Sequence, residues 1–106
     1  MYMYVLGSFH VNGLPVQVLF DSGASRSFVS LALSRKFPKS SGELDCPLEV
    51  EIADDRSVRA SMVFRDCMLR LFEERYMVDL VPIPLRGNKV IIGMDWLSPN
   101  LSLIHI

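Results

Sequence analysis

The sequence predicts a mainly β, barrel-like domain, and three observations carry that prediction. An Asn12-Gly13 pair sits inside one extended apolar segment running from Val5 to Phe20. Short alternating or wholly apolar runs then recur between turn residues, at Leu48 to Ile52, Arg56 to Phe64, Cys67 to Phe72, Tyr76 to Pro82 and Val90 to Ile92. Only two stretches suit a helix, Phe28 to Phe37 and Met94 to Leu97, and both are short. Many short strands with frequent turns and two short helices specify a β architecture that curls on itself.

Each element has its own local reason. Asn-Gly is the favoured pair for a two-residue turn with positive φ, so Val5 to Phe20 reads as a β-hairpin. In its second arm Leu14, Val16, Val18 and Phe20 point one way, with Pro15, Gln17 and Leu19 opposite. Ser25 or Ser27 can cap a helix over Phe28 to Phe37, and Pro38, Ser40, Ser41 and Gly42 then form a loop. A second hairpin follows: Leu48, Val50 and Ile52 alternate with Glu49, Glu51 and Ala53, Asp54-Asp55 turns, and Arg56 to Phe64 returns. Glu73-Glu74-Arg75 joins the next two strands. Val90-Ile91-Ile92 is a fully apolar strand ended by Gly93, Met94 begins a helix stopped near Pro99, and Leu101 to Ile106 is expected as a terminal strand. With 106 residues and no repeat or linker, the chain reads as a single domain, 1–106, around one modest core.

Composition removes several function classes. The net charge is -1, and Arg56, Arg59, Arg65, Arg70 and Arg75 are scattered among acids as a solvated surface is, so no nucleic-acid partner is expected. No apolar run approaches the roughly 18 residues of a membrane span, and the start lacks the basic character of a signal peptide. The expectation is a soluble cytoplasmic domain with no membrane partner. Cys46 and Cys67 are too few for a disulfide framework, and His10 and His105 are too isolated to complete a zinc motif with them. Both thiols read as structural, and neither a metal nor a cofactor is expected. Trp96 reads as core packing.

Chemistry concentrates at Asp21-Ser22-Gly23-Ala24, directly behind the strand Pro15 to Phe20. An acid at the end of a buried strand is costly unless its charge is used. The Ser-Gly turn presents its carboxylate on a fixed backbone. Taken alone, the tripeptide reads as a solvent-facing turn aspartate. The apolar strand before it and Val90-Ile91-Ile92-Gly93 downstream favour an active-site position instead. Ser22 and Ser25 lack both a Gly-x-Ser-x-Gly elbow and a histidine partner, so a serine nucleophile does not fit. Gly23 occupies the place a second acid would need in an Asp-x-Asp phosphatase. Asp95 reads as the acid that favours a helix start.

Asp21-Ser22-Gly23-Ala24-Ser25 together with Ile91-Ile92-Gly93-Met94-Asp95-Trp96-Leu97 resembles the retropepsin-type aspartic proteases of long-terminal-repeat retrotransposons, particularly the Gypsy/Ty3 group, most strongly over residues 5–100. The resemblance implies a closed β-barrel-like acid-protease fold with one or two short helices. It implies a homodimeric aspartic endopeptidase that cleaves a polypeptide, the Gag-Pol polyprotein, in the cytoplasm or within virus-like particles. Carried over by position, Asp21 is the catalytic aspartate, and Ser22, Gly23 and Ala24 complete its loop, with the Ser22 hydroxyl bracing the dimer mate. Ala53, Asp54, Asp55, Arg56 and Ser57 correspond to the flap over the substrate, although no glycine stands at its tip. Ile91, Ile92 and Gly93 correspond to the segment supporting the loop from beneath. Peptide hydrolysis of this kind needs two carboxylates, and this chain has one Asp-Ser-Gly, so the second must come from another copy. The competing reading is an inactive or domesticated module that keeps the fold for dimerisation or peptide binding.

Overall fold

The computed structural model describes residues 3–52, 56–71 and 73–100. Its strands are β1 (Met3–Val11), β2 (Leu14–Asp21), β3 (Phe28–Ser30), β4 (Gly42–Ile52), β5 (Arg56–Leu71), β6 (Glu74–Ile83) and β7 (Lys89–Ile92), with helices α1 (Leu31–Ser34) and α2 (Met94–Asn100). Pairing runs β1-β2-β7-β3-β6-β5, and β5 closes the ring by pairing back to β1 at His10↔Arg70 and Val11↔Leu69. Six strands therefore form a closed barrel. β4 hangs from the free half of β5.

The β1–β2 hairpin turns at Asn12 (φ 50) and Gly13 (φ 82), both in the left-handed region that a two-residue turn needs. Asn12 also ties the hairpin to β5, its backbone N–H donating to Met68 O (2.9 Å) and its Oδ1 accepting from Met68 N (2.9 Å). The alternation expected in β2 is present: Val16, Val18 and Phe20 are buried while Pro15 and Gln17 are exposed. These side chains meet Leu69, Leu80, Ile92 and Trp96 inside the barrel. Full burial of such a side chain contributes roughly 1.5–3 kcal/mol, so this interior is the main stabilising term. Trp96 packs there as expected, with ring centroids 5.3 Å from Tyr76 and 6.2 Å from Phe20.

Two sequence expectations are corrected. Phe28 to Phe37 is not one helix: Phe28, Val29 and Ser30 form β3, parallel to β6 and antiparallel to β7, and α1 spans only four residues. An aromatic and a β-branched residue gain more between two strands than on a helix. Ser30, which precedes α1, makes no side-chain cap; its Oγ accepts from Lys89 N instead (3.3 Å). The second correction is that the strands expected over Arg56 to Phe64 and from Cys67 are not separate, since β5 runs unbroken from Arg56 to Leu71 as 16 residues; Phe72 lies outside the described residues. Between the pairs Phe64↔Leu80 and Cys67↔Val78 it carries one extra residue, the mark of a β-bulge. Asp66 takes φ 54 there. Its N–H donates to Asp79 Oδ1 (2.9 Å), and Lys39 Nζ donates to the carbonyls of Arg65 (2.6 Å) and Asp66 (2.9 Å). Cys67 is buried just beyond, its thiol against Phe64 O (3.4 Å), and burial pushes its pKa above the ordinary value of 9.0. Cys46 is exposed on β4. The expected terminal strand Leu101 to Ile106 and the hairpin tip Ala53, Asp54 and Asp55 lie outside the described residues.

Candidate active site

Asp21 closes β2, where Phe20 is held in the core, so the carboxylate emerges from a fixed strand end. The residue is only 7% exposed. Gly23 N donates to Asp21 Oδ1 (2.8 Å) and Ala24 N to Asp21 O (3.1 Å), which closes the turn expected from Ser22-Gly23. One carboxylate oxygen is thereby oriented by the backbone, while the side chain as a whole lines a cleft. A buried carboxylate held this way has a defined direction, as an acid/base group requires.

The loop is held from behind by the segment after β7. Parallel pairing of Phe20 with Ile92 brings Gly93 beside it. Met94 N donates to Ala24 O (2.7 Å), and Asp95 N donates to Ser25 O (3.1 Å). Gly93 N donates to Ser27 Oγ (3.0 Å), and that hydroxyl donates to Asp95 Oδ1 (2.7 Å). A Cβ on Gly93 would clash with the Arg26 carbonyl oxygen and lie 2.7 Å from Ala24 O. Both contacts are with backbone that these hydrogen bonds fix, so only glycine fits. The roles of Ser27 and Asp95 were missed in the sequence. Each looked like a helix-capping residue, and no local pattern announces a bond between residues 68 positions apart.

The cleft has a volume of about 730 Å³, between the Asp21 loop and β4. Phe28, Ile83, Leu85 and Ile91 form an apolar wall, and β4 covers it from Leu48 to Ile52. This matches the size and character of sites that hold organic ligands, apolar walls with few polar groups.

The structure sorts the sequence-derived residues as follows. Asp21, Gly23 and Ala24 come together at the cleft floor. Ser22 is exposed and makes no hydrogen bond to any described residue of its own chain. Gly93 lies against the loop, and Ile92 is fully buried in the barrel core. Ile91, grouped with them in the sequence, points to the opposite face of β7 and lines the cleft, because successive residues of a strand alternate. Arg56 and Ser57 begin β5, exposed, and pair with Ile52 and Glu51. No group of three potential ligands for a metal ion occurs among the described residues.

The family model described as retroviral aspartyl protease matches residues 3–106. The chain belongs to that family. It is therefore an aspartic peptidase, and Asp21 is a buried acid lining its cleft. Among solved structures, EIAV protease complexed with the inhibitor HBY-793 superposes with a TM-score of 0.67 at 18% identity, over 94% of this chain and 89% of that one. At that identity the likeness speaks for the retropepsin fold. No curated protein sequence matches the chain.

Proposed function

We propose that this retroviral-type aspartyl protease works as a homodimer, two Asp21 side chains sharing one site, and that it cleaves the Gag-Pol polyprotein of a Gypsy/Ty3-type retrotransposon. The observation that carries the dimer is the single oriented carboxylate: Asp21 is buried at the cleft floor with one oxygen held by Gly23 N. The other acids bordering the cleft, Glu49 and Glu51, alternate with Leu48, Val50 and Ile52, whose side chains pack toward the barrel. They therefore face away, and neither can partner Asp21.

In the shared site one Asp21 is ionised and the other protonated. The carboxylate takes a proton from water as the water oxygen bonds to the scissile carbonyl carbon. The carboxylic acid of the partner copy donates to the carbonyl oxygen. The tetrahedral intermediate collapses when the C–N bond breaks: the amine nitrogen takes the proton that the first Asp21 accepted from water, and a hydroxyl of the intermediate returns its proton to the second, which restores the starting pair. Cleavage of such a polyprotein takes place in the cytoplasm or inside virus-like particles.

The test pairs peptide cleavage with sedimentation velocity over a dilution series. Specific activity is expected to fall as the dimer dissociates. Asp21→Asn, nearly isosteric, is expected to leave the melting temperature unchanged and abolish cleavage. A monomer whose specific activity is independent of concentration, or an Asp21→Asn variant at wild-type rate, refutes the shared site.

A further inference from the structure

Among the cationic side chains described, one borders the cleft. Arg26 stands five residues after Asp21, half-buried, with Phe28, Ile83 and Leu85 in the same cleft lining. Its backbone is fixed from both sides: Ser25 O accepts from Asp95 N (3.1 Å), and Ser27 O accepts from Val81 N (3.0 Å). The guanidinium therefore springs from an immobile root. Among the described residues it has no carboxylate or carbonyl partner, and the ion pair present is elsewhere, between Arg65 and Asp79. Asp21, Glu49 and Glu51 border the same cleft, but no acceptor among the described residues bonds the guanidinium, so its donors are open to an acceptor carried by a ligand.

We infer that Arg26 is a specificity-determining residue, and that it selects peptide substrates carrying an acidic side chain close to the scissile bond. The guanidinium offers a planar fork of donors that matches a carboxylate in two parallel hydrogen bonds. The carboxylate of Asp21 lies at the cleft floor in the same lining, so a substrate side chain that reaches Arg26 belongs to a residue near the cleaved peptide. A substrate lysine at that position meets Arg26 as a like charge and is disfavoured twice, by repulsion and by losing its water. The inference rests on the peptidase reading above.

The test uses eight-residue peptides of one common sequence in which Glu, Gln or Lys is placed in turn at each position around the cleaved bond. For the wild-type protein, kcat/KM is expected to favour Glu over Lys by about tenfold or more at one position, as a partly exposed charge pair allows. Arg26→Gln is expected to bring that ratio to within about twofold, and Arg26→Glu to invert it; each charge-assisted pair is thereby isolated from the rest of the site. Sedimentation velocity on the same variants separates substrate choice from assembly. If the Glu-to-Lys ratio is the same in wild type and Arg26→Gln at every position, or if the variants alter only the dimer equilibrium, the inference is overturned while the peptidase reading stands. If the wild-type protein cleaves none of the peptides at any concentration, both readings fall.

Discussion

Gly93→Ala adds one carbon and is the sharpest test of how the loop is held. The new Cβ would clash with the Arg26 carbonyl oxygen and stand 2.7 Å from Ala24 O and 2.8 Å from the Arg26 carbonyl carbon. Real Cβ atoms do not approach so closely, so one backbone must retreat. The loop cannot do so without breaking Met94 N to Ala24 O and Gly93 N to Ser27 Oγ. Losing those two bonds costs about 0.5–1.5 kcal/mol each. Overpacking adds about 1–3 kcal/mol. The total is about 2–6 kcal/mol, a large share of the roughly 5–15 kcal/mol that holds a domain together. At about 4–8 °C per kcal/mol for a chain of this length, melting is expected to fall by at least about 8 °C. The assay is thermal unfolding by circular dichroism, with peptide cleavage measured on the same sample. Gly42→Ala serves as control: like Gly93 it lies outside the left-handed region, and its Cβ would meet only Val63 O at 3.9 Å, so it reports the backbone effect without the clash. A Gly93→Ala protein that melts within about 2 °C of wild type and keeps its activity refutes the packing argument.

Three further outcomes are expected. Ser27→Ala removes a fully buried hydroxyl that accepts from Gly93 N and donates to Asp95, and leaves that N–H unsatisfied. A loss of about 1–3 kcal/mol in urea unfolding is expected, and an unchanged midpoint counts against the clamp. Cys67, its thiol pKa raised chiefly by burial, is expected to resist an aromatic disulfide reagent in the native protein while Cys46 reacts at once. Because the folded value lies above the unfolded one, stability is intact below the unfolded thiol's pKa and declines as pH rises toward the folded value. Cys67→Ala should remove that alkaline slope; if the slope persists, another group causes it.

The strands were largely legible because their signals are local. Asn12-Gly13 set the first turn, and the alternation from Leu14 to Phe20 placed the core face of β2. The Asp21 turn was legible for the same reason. What failed depended on partners far along the chain. Phe28 and Val29 read as helix until β6 and β7 stood on either side of them. The continuity of β5 was hidden because Arg65 and Asp66 look like a turn, and the bulge is fixed by Lys39 and Asp79 from other elements. Ile91 and Ile92 looked equivalent, and only the pleat of β7 divides them between cleft and core.

The bonds behind the Asp21 loop also impose an order of events in time. Residues 21 to 27 are made before the groups that fix them: Gly93 lies 66 positions after Ser27, and Met94 lies 70 after Ala24. At roughly 5–20 residues per second, translation separates the two by about 3 to 14 s. During that interval β2 lacks its parallel neighbour β7, and only the local bond from Gly23 N steadies the carboxylate. A nascent chain therefore carries the acid several seconds before it carries the backbone that fixes the loop around it.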